Sequence, residues 1–168
     1  AIARLAAAFS MVRIAYGTHH NDKAADELGV QYVSFDQLLQ DSDYIVICTA
    51  LKKSNYHLIN SEAIKKMKPT AFLINVSRGA VIDEKALLQA LRSEQIGGAA
   101  LDVFETEPPE EMLPALDNLV VTPHIGGTTQ ESVRRVAMVT VDNIRRYIHG
   151  EPLNHIANQS EIPNEQGH

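Results

Sequence analysis

Cysteine is almost missing: Cys48 is the only one in the sequence. An intramolecular disulfide framework and a CxxC metal knuckle are therefore excluded, and a reducing compartment, the cytoplasm, suits the composition. Positive charge is in deficit. Fifteen Lys and Arg stand against 21 Asp and Glu, a net charge of −6, which argues against capture of nucleic acid or of an anionic membrane by clustered cations. Long apolar runs are also missing. The longest, Leu5 to Phe9 and Tyr44 to Cys48, fall far short of the roughly 20 residues that span a bilayer. The opening AIARLAAAFS has no basic region before a long apolar core, which reads against a signal peptide, and it carries no initiator Met. Gly17 is the first glycine, so no G-x-G-x-x-G opens the chain. What is present is 168 residues, 45% hydrophobic and 21% charged. That is enough for one sizeable core and short for two ordinary domains.

Short β-branched apolar runs recur at Val12 to Tyr16, Tyr44 to Cys48, Ala71 to Asn75, Gly98 to Val103 and Leu119 to Val121, with a weaker one at Gln31 to Val33. Helical segments alternate with them: Ala1 to Phe9, Asp22 to Leu28, Ser34 to Leu39, EAIKKM capped by Ser61, and DEKALLQALRSEQ opening at Asp83. Buried strands alternating with helices predict an α/β fold with a mostly parallel sheet covered on both faces. Residues 127–150 read as a long amphipathic helix. Val133, Val136, Ala137, Thr140, Val141, Ile144, Tyr147 and Ile148 fall on one stripe, and Gly150 and Pro152 end it. Such a helix serves as a subunit contact or a brace between domains. Residues 151–168 turn polar and read as a tail with little packing of its own, which leaves residues 1–150 as the domain.

In doubly wound sheets ligands gather beyond the carboxyl ends of the strands. Three strand ends deliver one ionisable residue each beside Gly or Pro: Arg78 in NVSRG, Glu107 in DVFETEP and His124 in TPHIGG. Arg78 and Glu107 are 29 residues apart, and Glu107 and His124 are 17 apart, as one strand-to-strand step would give. An arginine grips a carboxylate or carbonyl oxygen in a fork. A histidine moves a proton near neutrality, and a carboxylate beside it orients the ring and favours its protonated form. Taken singly, each has a plainer role: a surface cation, part of a solvated acidic loop with Glu105, a loop-packing histidine. Their joint occurrence favours a site.

The segments INVSRGAVIDEKALLQAL, GGAALDVFETEPP and LVVTPHIGGTTQES resemble those of the D-2-hydroxyacid dehydrogenases, in order and over nearly the whole chain, and among them the glyoxylate/hydroxypyruvate reductase branch. The resemblance implies a Rossmann-like doubly wound sheet and reduction of a 2-oxo acid by NADPH or NADH. Arg78 would hold the 2-oxo acid. His124, supported by Glu107, would protonate the keto oxygen. Asp102 matches the residue that contacts the nicotinamide carboxamide. The dinucleotide would also be met by Gly17, Thr18 and His19 after the second strand of that fold, by Thr49 and Ala50 after the fourth, and by Val76, Ser77, Arg78, His124, Gly126 and Gly127. A homodimer is implied as well.

Departures from the family pattern carry expectations of their own. Without the glycine-rich loop, the chain reads as an N-terminally truncated part of a longer two-domain polypeptide. The central first strand would be missing, two strand edges would be open, and the chain alone would be inactive. No carboxylate follows Tyr16 until Asp22. A 2′-phosphate is therefore not repelled, and NADP is favoured over NAD. His19-His20 lacks a third ligand at metal spacing, so no metal is expected. Where many members have His-x-Pro-Leu-Thr, this chain has Cys48-Thr49-Ala50-Leu51-Lys52. Contacts from Thr49 and Ala50 would then run through the backbone, and Cys48 reads as a small buried hydrophobe. A non-catalytic dinucleotide-sensing module of the same fold is the alternative in another class, and a formate or phosphite dehydrogenase relative is a third. Glu107, where formate enzymes usually carry Gln, counts against the formate reading.

Overall fold

The computed structural model describes residues 1–109 and 113–156. Its contacts form two units, Ala1–His124 and Ile125–His168. In the first unit the elements run α1 (Ile2–Ala8), β1 (Arg13–Ala15), α2 (Asp22–Leu28), β2 (Val30–Tyr32), α3 (Phe35–Asp41), β3 (Tyr44–Ile47), α4 (Ser61–Lys65), β4 (Phe72–Asn75), α5 (Glu84–Arg92), β5 (Gly98–Leu101) and β6 (Leu119–Val121). The second unit holds α6 (Gln130–Ile148).

Local chemistry sets the helix starts. Asn21, Ser34 and Asp83 each accept from the backbone N–H three residues on, at 3.0, 3.2 and 2.9 Å, satisfying donors that have no partner inside the helix. Gly29, at φ +57°, ends α2 in the left-handed conformation. Helix α4 corrects the sequence reading. Its cap is Asn60, which accepts from the N–H groups of Glu62 and Ala63, and Ser61 is the first helical residue. Both residue types cap well, and the longer amide side chain one position earlier reaches two donors.

Strands β3, β4, β5 and β6 form one parallel sheet in that order, with Ile47 opposite Asn75, Asn75 opposite Leu101, and Leu101 opposite Val121. All four therefore end on the same rim. Strands β1 and β2 pair in parallel as a separate sheet. β1 and β3 thus each keep an unpaired edge, where the doubly wound order places a central strand between them.

One face of the four-stranded sheet is buried. Ile45, Ile47, Leu73, Ala99 and Leu101 pack with Leu39, Ile64, Leu87, Leu91 and Ile96 in a single core. A large aliphatic side chain fully buried there contributes about 1.5–3 kcal/mol. The other face is covered in part, with Val46, Ile74 and Ala100 half-buried. β3 and β4 alternate between exposed and buried positions, and Tyr44 and Phe72 stack on each other at 5.7 Å while 56% and 41% exposed. Cys48 also differs. It lies just past β3 and is exposed, although partial burial of the thiol pushes its pKa up.

In the second unit Thr129 and Ser132 cap α6 reciprocally. The apolar stripe is uncovered, with Val136, Val141, Ile144 and Tyr147 all more than half exposed. The start of the polar tail is not loose. Asn154 and Asn143 exchange two hydrogen bonds at 2.8 and 3.0 Å, and Arg146 donates to the Pro152 carbonyl. The rest of the tail, 157–168, lies outside the described residues.

Candidate active site

The loop after β4 is built on Asn75, a fully buried polar residue at the end of an otherwise apolar strand. Its Oδ1 accepts from the Ser77 backbone N–H and hydroxyl at 3.0 and 3.1 Å, and its Nδ2 donates to the Arg78 carbonyl at 2.9 Å. The turn that presents Arg78 is therefore fixed from inside. Arg78 itself is exposed, and its guanidinium donates back to the Ser77 carbonyl at 2.7 Å. Val76 is half exposed beside it.

Beyond β5 the chain passes the buried Asp102, whose carboxylate accepts from the Thr122 hydroxyl, and reaches Glu107. Oε1 of Glu107 accepts from the Phe104 N–H at 3.0 Å, and Oε2 lies 2.7 Å from Nδ1 of His124. Glu107 is held below the usual carboxylate range, first by the bond with His124, then by the Phe104 N–H, with the charges of His124 and Arg78 adding to it. A carboxylate fixed as an anion against one ring nitrogen orients the imidazole and leaves Nε2 for other work. His124 follows β6 at φ +54°, and its N–H donates to the Thr122 carbonyl at 3.0 Å. A non-glycine residue in that region is uncommon and clusters at sites where the surroundings hold it in place.

Two of the expected residues thus meet, His124 and Glu107, and the positive charge of Arg78 adds to the pull on the Glu107 carboxylate. The others make contacts of their own. Gly17, Thr18 and His19 follow β1, where the Thr18 hydroxyl pairs with Nδ1 of His19 at 3.0 Å. Thr49 and Ala50 follow β3, where Asn55 Nδ2 donates to the Ala50 carbonyl at 2.9 Å. Gly126 and Gly127 belong to the second unit, where the Gly127 carbonyl accepts from the Ser132 hydroxyl at 2.6 Å. Asn75 was not among the residues singled out from the sequence. Its signal was there: an amide at an inward position of a buried strand needs a structural reason.

The comparisons bear on this geometry. The model of the D-isomer specific 2-hydroxyacid dehydrogenase NAD binding domain matches residues 1–126. The chain belongs to that family. It is 43% identical over 152 residues to a glyoxylate reductase of Pyrococcus furiosus, an alignment covering 90% of this chain and 45% of that protein. Among solved structures it is similar to the apo D-lactate dehydrogenase of Escherichia coli, with a TM-score of 0.83, 34% identity and coverage of 90% of this chain and 48% of that one. It is also similar to the Aquifex aeolicus D-lactate dehydrogenase complexed with NAD and lactic acid, with a TM-score of 0.81, 32% identity and coverage of 89% and 50%. The chain spans about half the length of these relatives. The part of the 2-hydroxyacid dehydrogenase family that it matches is the nicotinamide dinucleotide domain. The loops after β3, β4, β5 and β6 leave from one rim of the sheet, and the buried Asp102 carboxylate lies there just past the end of β5. The pyrophosphate fingerprint G-x-G-x-x-G is not in this sequence. Among the described residues no cluster of three metal-ligating side chains occurs, and no helix is long and apolar enough to cross a membrane.

Proposed function

We propose that this chain is the dinucleotide-binding part of a reductase that converts a small 2-oxo acid, such as glyoxylate or hydroxypyruvate, to its 2-hydroxy acid, of D configuration where C2 becomes a stereocentre. The observation that carries the reading is the 2.7 Å pairing of His124 with Glu107, with Arg78 on the loop after the neighbouring strand β4. Arg78 turns from its own loop carbonyl to hold the substrate carboxylate and keto oxygen. Protonated His124 donates from Nε2 to that oxygen as it gains charge, and Glu107 stabilises the imidazolium before the transfer. When bound, the dinucleotide supplies the hydride. Asp102, Val76, Ser77, Thr49 and Ala50 would hold it through the rim of the four-stranded sheet, with Gly126 and Gly127 after β6. The adenosine end would meet Gly17, Thr18 and His19. With no carboxylate there to repel a 2′-phosphate, NADPH is preferred over NADH.

Residues 1–150 form the dinucleotide domain on this reading, and 151–168 begin the return to a substrate domain. A second copy covers the apolar stripe of α6 in a homodimer, in the cytoplasm. The test is a reductase assay of the full-length polypeptide with glyoxylate and hydroxypyruvate. Turnover with a lower KM for NADPH than for NADH is expected. Dinucleotide binding without turnover on any 2-oxo acid would favour the sensing module instead.

A further inference from the structure

The segment ahead of Glu107 is gripped by side chains that the proposed reaction does not use. Oε1 of Glu105 accepts from the Tyr56 hydroxyl at 3.0 Å and lies 2.7 Å from Nε2 of His57. The Tyr56 and His57 rings stack with centroids 3.9 Å apart. Tyr56 holds its proton more firmly than an ordinary phenol, chiefly because of the bond to Glu105. The backbone closes the circuit. The Glu105 N–H donates to Glu84 Oε2 at 3.0 Å, on the helix that follows the Arg78 loop. The His57 N–H donates to the Ala80 carbonyl at 2.9 Å, and the Ile59 N–H to the Val81 carbonyl at 3.1 Å. Between these, Gly79 lies so close to Phe104 and Glu105 that a Cβ would come within 1.9 Å of the Phe104 carbonyl.

Three segments therefore meet around one carboxylate: residues 56–59, the turn just after Arg78, and the turn that leads to Glu107. A merely solvated acidic loop needs none of these partners. The His57 and Glu105 side chains are 28% and 30% exposed, so water screens their contact only in part.

We propose that Glu105, held by His57 and Tyr56, is a positioning residue that keeps the Glu107 turn in register with the Arg78 turn, so that acid, carboxylate and guanidinium converge on one substrate anion. This inference rests on the reductase reading above. Misplacing a reacting group by about 1 Å costs about 10²-fold in rate, and Glu105 sits where such a displacement would begin.

The experiment compares Glu105→Ala, Glu105→Gln and Tyr56→Phe with wild type in the full-length polypeptide, reading kcat, KM for glyoxylate and dinucleotide Kd. Glu105→Ala is expected to lower kcat/KM by about 10²-fold, with KM for glyoxylate raised and dinucleotide Kd unchanged. Glu105→Gln keeps an acceptor oxygen and is expected to recover most of the loss. Tyr56→Phe removes a single hydroxyl and is expected to show a smaller loss in the same direction, which tests the inference even if Glu105→Ala fails to fold. Variants that bind dinucleotide and turn over as wild type does, or that lose activity only in proportion to lost folded protein, overturn the inference alone. A wild-type enzyme with no turnover overturns the reductase reading and the inference with it.

Discussion

Glu107 has both carboxylate oxygens engaged, one by the Phe104 N–H and one by His124. Because these bonds favour the charged form, its folded pKa lies below the ordinary value of 4.5. The stabilisation that this shift brings is present above 4.5 and is lost as pH falls through the lower folded value. Glu107→Gln in the full-length polypeptide is therefore expected to lower the urea midpoint at neutral pH. The gap to wild type should close as the pH is taken progressively below about 4.5. A gap that stays the same across that range contradicts the assignment. The same residue shows what a sequence can and cannot reveal. Glu107 could be singled out because Pro108 follows it and His124 lies one strand step on. Glu105, two residues earlier, reads as a solvated acid, because its partners Tyr56 and His57 are 49 and 48 residues away and nothing local marks them.

Strand β4 and its loop act as one device through Asn75. Removing its amide leaves the Ser77 N–H without its acceptor, while the Arg78 carbonyl keeps the Val81 N–H at 3.3 Å, at about 1–3 kcal/mol for a buried group left unsatisfied. Asn75→Ala is thus expected to destabilise the full-length protein by about 2 kcal/mol and to raise KM for the 2-oxo acid through Arg78, as read by urea titration and steady-state kinetics. Unchanged stability would mean that the turn is set by something else. Most elements were legible because their signals are local: β-branched runs for the strands, Asp83, Ser34 and Gly29 for helix ends. The α4 cap was misplaced by one residue because Asn60 and Ser61 are adjacent and both suited to the role. The buried thiol expected at Cys48 failed because β3 ends at Ile47, which puts the cysteine in the loop.

At the scale of the molecule, the parallel register of β4, β5 and β6 brings the loops that carry Arg78, Glu107 and His124 to one rim of the four-stranded sheet. The central claim is that His124 moves a proton in a reaction whose site Arg78 and Glu107 complete. Its most direct test is His124→Ala in the full-length polypeptide, with turnover and dinucleotide affinity measured side by side. The account predicts that kcat falls by about 10²–10⁴-fold while the dinucleotide Kd holds. Wild-type turnover in the variant would contradict it.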